Sequence, residues 1–388
     1  MYYVPGPRRS RWPWILLLLL ALAGGGWYLA AKHPQLLRQW LARVPMEALP
    51  SELQARPSPT PTVRIVTAAE YMAEGDRLFA AGRMGEAAAQ YGKAAEAQPL
   101  HAQAHARRAL ALALRGDTRT ALQEARRAVE IDAQAAESQA ILGMVLDWGG
   151  QPQEAVLACL RAAEIDPDSA MAHAFLAEAY MDMDRPDKAQ QAAQRAVELD
   201  PDSVWARRNL GYVYEKLGNY QRAIEEYQRA LAAHPNMGFL YLSLGRNYLA
   251  LRRPDDAIAQ FQKATTVDPT DAQGYDQMGW TYYVQQDYER ATVLLRKAIE
   301  VDPTYGPAYG HLGVVYYVQR DYEEAITWLT QAIELGVEKV EYYYELGLSH
   351  IFMEDCDQAV PLLQRALELD PNCHVARQGL AQCGVAAP

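Results

Sequence analysis

The sequence has little cysteine and none of the common catalytic signatures. It holds four cysteines in 388 residues, too few for a fold framed by disulfides. It contains no glycine-rich phosphate loop, no His-Glu-x-x-His and no Gly-x-Ser-x-Gly sequence. We therefore predict a protein that is not an enzyme and that holds no metal and no cofactor.

Basic residues are scarce outside the amino-terminal segment. Residues 1–67 carry eight Lys or Arg against two Glu, whereas residues 68–388 carry 29 basic against 46 acidic side chains. The second part therefore has a net charge of −17 and repels phosphate backbones. This charge predicts that the protein does not bind nucleic acid.

One uncharged apolar stretch, residues 13–31, follows Arg8, Arg9 and Arg11. At 1.5 Å per residue, a helix over these residues would roughly span a hydrocarbon core of about 30 Å. We predict a basic tail at 1–12, a transmembrane helix or signal anchor at 13–31 and a proline-rich spacer at 32–67. The Ala-Leu-Ala triplet at 21–23 leaves a cleaved signal peptide as the alternative.

The arginine cluster at the amino terminus also predicts an orientation. Basic residues next to a membrane span favour the cytoplasmic side. The arginine cluster is compact and the segment before the predicted span is very short. Lys32, Arg38 and Arg43 nevertheless make the numbers of basic residues before and after the span nearly equal. We predict a single-pass protein, of a bacterial inner membrane, with the remainder of the chain outside the cytoplasm.

From residue 68 the chain repeats every 34 residues. Position 8 of each unit is Gly or Ala, positions 20 and 27 are always Ala, and position 32 is Pro in seven of nine units. Two stretches with helical apolar periodicity in each unit predict a helical hairpin, and the proline ends its second helix. One hairpin cannot bury its apolar face alone, so the units must stack. The nine units are 68–101, 102–135, 136–169, 170–203, 204–237, 238–271, 272–305, 306–339 and 340–373.

This pattern resembles the tetratricopeptide repeat, whose motif combines an aromatic residue, Leu-Gly, Tyr, Ala, a second aromatic residue, Ala and Pro. The sixth unit carries it as Tyr241, Leu244, Gly245, Tyr248, Ala257, Phe261, Ala264 and Pro269. The resemblance covers 306 of the 388 residues. It implies an all-α fold, a right-handed superhelical solenoid of nine helical hairpins, followed by a capping helix within residues 374–388.

The resemblance also implies a binding surface. In tetratricopeptide repeats, positions 2, 5, 9, 12 and 13 of the first helix line the concave groove. Aromatic rings interspersed with arginine offer a peptide rigid contact area and forked donors. The candidate partner-binding residues at these positions are Trp205, Arg208, Tyr212, Phe239, Arg246, Trp280, Tyr283, Tyr317, Tyr344 and Phe352. The alternative is that some of these rings pack against neighbouring units.

The groove carries different chemistry in its two halves. The first four units place acids there, including Asp76, Glu178 and Asp182, which predicts that this half selects cationic segments. We predict a membrane-tethered scaffold that binds a peptide or helix of a protein partner and assembles an envelope complex. Two alternatives remain open: a structural protein that forms homo-oligomers through its array, and a regulatory subunit of a separate enzyme.

Cysteine spacing does not match a structural zinc site. Cys356 and Cys383 would come together if the capping helix returned toward the preceding turn, and an exported array would then allow a disulfide. We nevertheless expect two free thiols. Cys159, at position 24 of the third unit, is expected to be a small core residue.

Overall fold

The computed structural model of the chain describes residues 66–386 and is α-helical, with connecting turns, over that range. The predicted tail 1–12, the predicted span 13–31 and nearly all of the predicted spacer 32–67 lie outside the described residues. Within 66–386, no helix combines the length and the apolar character needed to cross a bilayer. The membrane anchor therefore stays a prediction from the sequence.

The described residues form a solenoid of nine helical hairpins and one further helix. In every unit, the first helix begins at the first residue of the unit. The helices are α1 Ala68–Ala80, α2 Met84–Ala97, α3 Ala102–Leu114, α4 Thr118–Ile131, α5 Ala136–Trp148, α6 Pro152–Ile165, α7 Ala170–Asp182, α8 Pro186–Leu199, α9 Val204–Lys216, α10 Tyr220–Ala233, α11 Gly238–Ala250, α12 Pro254–Val267, α13 Ala272–Val284, α14 Tyr288–Val301, α15 Gly306–Val318, α16 Tyr322–Glu334, α17 Val340–Phe352, α18 Cys356–Leu369 and α19 His374–Gln382.

Positions 8 and 24 meet inside each hairpin, and their sizes are complementary. Where position 8 is Gly, position 24 is larger than Ala, as in the pair Gly245 and Phe261. Where position 8 is Ala, in the second and fourth units, position 24 is also Ala. A methyl group on Gly245 would stand 2.7 Å from Phe261 Cδ1, well inside the usual carbon–carbon contact of about 3.5–4.0 Å. The absent Cβ thus lets the two helices close around a large ring.

The turn between the two helices requires a left-handed residue. Position 15 has φ between 55° and 90° in all nine units. Glycine takes this conformation without a steric penalty and occupies the position in four units, for example at Gly116. Five units place another residue there, such as Arg252, at a cost of roughly 1–2 kcal/mol each. In several units the next residue is an aspartate that caps the second helix, as Asp117 and Asp287 do.

The hairpins stack with their first helices on one side. First helices pack on first helices of the next unit, as α5 does on α7 and α15 on α17. Each second helix packs between its own first helix and the next one. The first helices therefore form the inner layer and the second helices the outer layer.

The superhelix closes on itself, because units 1 and 2 contact units 5 to 7. The amide of Asn236, between units 5 and 6, donates to the Ala80 carbonyl at 3.4 Å. The amide of Gln273, at the start of unit 7, donates to the Leu114 carbonyl at 3.1 Å. The turns of the first two units thus lie on loops and helix starts of later units, about 155–160 residues away in sequence.

Arg115 makes the most polar of these closing contacts. Its guanidinium donates to the hydroxyl and the carbonyl of Thr270 at 3.2 and 3.0 Å. It also lies 3.7 Å from a carboxylate oxygen of Asp302. Because Arg115 is only 19% exposed at its side chain, these interactions are partly shielded from water and hold the closure together.

The capping helix α19 packs on both helices of the ninth hairpin. This packing returns the end of α19 to the start of α18, where the Cα atoms of Cys356 and Cys383 are 5.6 Å apart and the two residues form a disulfide. The expectation of two free thiols there is wrong, because sequence spacing does not reveal how closely the capping helix returns. Cys159 is free and fully buried, as expected of a small core residue.

Candidate partner-binding surface

The ten candidate residues do not share one environment. Trp205 is 6% exposed and Arg208 9%, whereas Phe352 is 52% exposed and Arg246 is also exposed. The others are half-buried: Tyr212, Phe239, Trp280, Tyr283, Tyr317 and Tyr344. The accessible candidates are thus concentrated in the later units.

Trp205 belongs to the packed interior that units 1 to 5 enclose. Its ring stacks on Phe239 with centroids 5.5 Å apart and contacts Phe175 at 5.3 Å. The space beside it is a cavity of about 350 Å³, also lined by Phe79 of unit 1 and Met171 of unit 4. The expectation that Trp205 faces an open groove is therefore wrong: the inner faces of units 1 to 5 converge on one another.

Arg208 is likewise occupied within the chain. Its guanidinium pairs with Glu178, and it lies over the rings of Trp148 and Tyr212, 5.3 Å from each centroid. The carboxylate of Glu178 also accepts a hydrogen bond from the Trp148 indole at 2.9 Å. An arginine held by an acid and two aromatic faces is a well-stabilised buried cation, but it is not available to a partner.

The acids expected to select cationic segments are paired in the same way. Asp182 accepts a hydrogen bond from Tyr212 at 2.5 Å and lies 3.4 Å from Lys216. Asp76 pairs with Arg107. Because the chain supplies these partners itself, the amino-terminal half presents fewer free acids than its sequence predicts.

Asp147 is the acid in this half whose carboxylate lacks hydrogen-bond partners. It is 5% exposed, and neither of its carboxylate oxygens finds a partner among the described residues. Burial, reinforced by the negative charge of Glu178, raises the pKa of Asp147 to about 8. The side chain is enclosed and does not face an open surface.

Units 7 and 8 begin a more open aromatic surface. The ring of Trp280 stacks on Tyr283 at 4.5 Å and on His311 at 4.3 Å. His311 in turn bonds the buried carboxylate of Asp276 through Nδ1 at 2.7 Å. These contacts fix the orientation of Trp280 and leave it partly exposed.

The same surface continues onto units 8 and 9. Phe352 stacks on Tyr322 with centroids 4.5 Å apart, and Tyr322 contacts Tyr317 at 6.1 Å. The residues one repeat and two repeats before Phe352, Val318 and Val284, are 39% and 67% exposed. Position 13 therefore carries an exposed apolar side chain in three successive units. We call Trp280, Tyr283, Tyr317, Tyr344 and Phe352 the aromatic surface of units 7–9.

Glu345 lies within this surface and is not among the sequence candidates. It is 8% exposed, and its Oε2 atom has no hydrogen-bond partner among the described residues. Burial, then the nearby charge of Glu341, raises the pKa of Glu345 to about 8. The available sequence signal was the acid at position 6 of unit 9, next to Tyr344, since no other unit has an acid at that position.

The described part of the chain offers no arrangement for metal chemistry. Between residues 66 and 386, no group of three or more His, Cys, Asp or Glu side chains is placed to hold a metal ion. The interactions available to the aromatic surface are therefore apolar contact, cation–π attraction and hydrogen bonding.

Three family models match the chain. The model of the cilia and flagella-associated protein 70 C-terminal domain matches residues 202–387. Two tetratricopeptide repeat models match residues 72–136 and 149–210. These matches confirm the predicted repeats. No curated protein sequence matches the chain.

Solved structures share the fold. The chain is similar to a chain of the APC/C hetero-tetramer Cut9–Hcn1, with 17% identity and a TM-score of 0.57, over 82% of this chain and 64% of that one. This chain thus spans less than two thirds of that neighbour. It is also similar to human IFIT1, solved as a dimer with PPP-AAAA, with 17% identity and a TM-score of 0.51, over 77% and 82% of the two chains. At this identity the likeness concerns the helical-repeat fold alone.

Proposed function

We propose that this tetratricopeptide repeat protein is a membrane-tethered scaffold that binds a segment of a protein partner on the aromatic surface of units 7–9. A tetratricopeptide array is a scaffold for protein interactions, and two tetratricopeptide repeat models match residues 72–136 and 149–210. The observation that carries the proposal is the contrast between the two halves. The inner face is closed around Trp205, whereas Phe352 remains half exposed.

The physical properties of this surface suit a bound segment. Aromatic side chains bury large area with little loss of conformational entropy, and they dominate the energetics of protein interfaces. Trp280 is already oriented by His311 and Tyr283, so that little ordering remains to be done on binding. The partner segment therefore docks on a preorganised face.

Photo-crosslinking in membranes of the native host tests this proposal. A photoreactive benzoylphenylalanine replaces Phe352, and the matched control replaces Leu157, which is 68% exposed on the outer helix α6 of unit 3. We expect a discrete adduct with a partner from position 352 and none from position 157. Adducts of equal yield at both positions, or none at position 352, would contradict the proposal. An adduct of twice the chain mass would instead favour the homo-oligomer.

We also propose that the array lies outside the cytoplasm, anchored in a bacterial inner membrane by residues 13–31, and assembles a complex of the envelope. The Cys356–Cys383 disulfide supports this location, because structural disulfides persist in oxidising compartments and are rare in the cytosol.

Labelling with a membrane-impermeant maleimide tests the location. Ser58→Cys adds one thiol in the predicted spacer, while Cys159 and Cys373 are buried, so the unaltered protein is expected to give low background. We expect labelling in intact cells, once any outer membrane has been permeabilised, to reach the level seen after lysis. Labelling that appears only after lysis would place the array in the cytoplasm.

A further inference from the structure

Glu345 is a buried carboxyl group that no Lys or Arg among the described residues pairs with. Among the described residues its Oε2 atom has no hydrogen-bond partner, although 92% of the residue is buried. The negative charge of Glu341 acts on the Glu345 carboxyl group and is repulsive. A buried acid in such a position is costly unless a cation or a donor is supplied from elsewhere.

Aromatic rings from three successive units lie close to Glu345. Trp280, Tyr283 and Tyr317 pack against the cluster that contains Leu346, the residue after Glu345, and Tyr344 is the residue before it. The negative charge of Glu345 helps to raise the pKa of the phenols of Tyr283, Tyr317 and Tyr344, after burial, which is the larger cause for all three. Trp280 completes the group, since it stacks on Tyr283 at 4.5 Å. Within residues 66–386, no Lys or Arg lies over any of these four rings.

The chain contains a second buried acid beside aromatic rings, at a different repeat position, and there a cation is present. In units 3 to 5, Arg208 pairs with Glu178 and lies over the faces of Trp148 and Tyr212. Arg208 stands at position 5 of its unit, and position 5 of unit 9 is Tyr344. Units 7–9 thus combine an acid with aromatic faces, as units 3–5 do, but lack the cation.

We infer that the partner segment inserts a lysine or arginine side chain between Glu345 and the rings of Trp280, Tyr283, Tyr317 and Tyr344. This inference rests on the proposed function and specifies the chemistry of its partner. The Glu345 carboxyl group gives up its proton when the cation binds and then serves as its counter-ion, and the ring faces attract the cation through their quadrupoles. The net charge of −17 over residues 68–388 further favours encounter with a basic segment.

Two labelled peptides test the inference against the full chain, purified in a neutral detergent. One is fluorescein-labelled (Gly-Arg-Ser)₃ and the other is (Gly-Gln-Ser)₃, which has the same length without charge; both are followed by fluorescence anisotropy. We expect the arginine peptide to bind at least tenfold more tightly. Equal affinities of the two peptides would overturn the inference.

Variants separate the site from general charge attraction. Glu345→Gln should weaken the arginine peptide about tenfold and leave the glutamine peptide unchanged. The control is Glu300→Gln on the outer helix α14, because the Glu300 side chain is 71% exposed, and it should change neither affinity. Equal losses in the two variants would overturn the inference. Tyr344→Leu removes one ring face while keeping a large apolar side chain, and it should weaken binding of the arginine peptide about fivefold. This second variant decides the question if Glu345→Gln folds poorly.

The outcomes distinguish this inference from the proposed function. An adduct at position 352 that forms equally well in the Glu345→Gln background would overturn the cationic partner and leave the scaffold intact. Absence of any adduct at position 352 would contradict the proposed scaffold function itself. Binding of the arginine peptide only after Arg8, Arg9 and Arg11 have been replaced by Gln would identify the chain's own tail as the occupant and overturn the assignment to a partner.

Discussion

The pairing of positions 8 and 24 predicts that one substitution has opposite effects in two backgrounds. Gly245→Ala would place a methyl group 2.6 Å from Phe261 Cζ and 2.7 Å from Cδ1, and Phe261 is fully buried. Overpacking of this kind costs about 1–3 kcal/mol. The helix propensity of alanine offsets about 1 kcal/mol of that cost. We expect a net destabilisation of about 1 kcal/mol.

The second background is Phe261→Ala, which removes the aromatic ring that Gly245 contacts. Phe261→Ala alone should cost about 3–5 kcal/mol through lost burial and a cavity. Adding Gly245→Ala then recreates the alanine pair that the chain itself uses at Ala109 and Ala125. The methyl group then no longer meets the Phe261 ring, so the double variant should be more stable than Phe261→Ala by about 1 kcal/mol.

Urea unfolding followed by circular dichroism measures the effects on stability. Repeat arrays do not always unfold in a single step, so hydrogen exchange of the amides in α11 and α12 provides the local measurement. The reasoning is refuted if Gly245→Ala stabilises the protein when Phe261 is present, because helix propensity alone would then control position 245. Equal effects in both backgrounds would refute it as well.

Three further predictions concern the closure, the cap and the buried acid. Arg115→Gln should destabilise the closure by about 1–2 kcal/mol. Hydrogen exchange of the amides around Thr270 should become faster, while exchange in units 8 and 9 stays unchanged. Unchanged exchange around Thr270 would show that Arg115 does not hold the closure. The double variant Cys356→Ser, Cys383→Ser opens a loop of 27 residues and should destabilise the capping helix by about 3.5 kcal/mol. Hydrogen exchange in α19 should then be faster than in the unaltered protein, and equal exchange would contradict this prediction. The pKa of Glu345 rises to about 8 from an ordinary 4.5, so the folded state keeps a proton that the unfolded state loses. The contribution of Glu345 to the free energy of unfolding should therefore fall as the pH rises from 4.5 to 8 and stay constant above pH 8. Urea midpoints measured across this range should show that fall in the unaltered protein and not in Glu345→Gln.

The candidate site was only partly predictable from the sequence. Position numbering within the repeat pointed to first-helix residues, and among them the half-exposed rings Trp280, Tyr283 and Tyr317. The same numbering selected Trp205, which the closure of the superhelix buries. It missed Glu345, because the environment of that carboxylate is built by rings from three different units and has no signature within one unit.

The sequence by itself determined the repeating hairpin. Helix periodicity, alanine at positions 20 and 27 and proline at position 32 act over distances of one unit. These local patterns are sufficient because each unit contacts chiefly its neighbours. The matching sizes of positions 8 and 24, such as Gly245 with Phe261, are also legible in the sequence once the hairpin is known.

Only the tertiary structure decided which part of the inner face is accessible. A small rotation between neighbouring units accumulates over several repeats, and the sum determines whether Arg115 reaches Thr270. No single unit encodes that sum. Closure buries Trp205, whereas units 7–9 keep Phe352 exposed and Glu345 without a cation. The same repeat pattern thus yields a packed interior in one half and a candidate binding surface in the other.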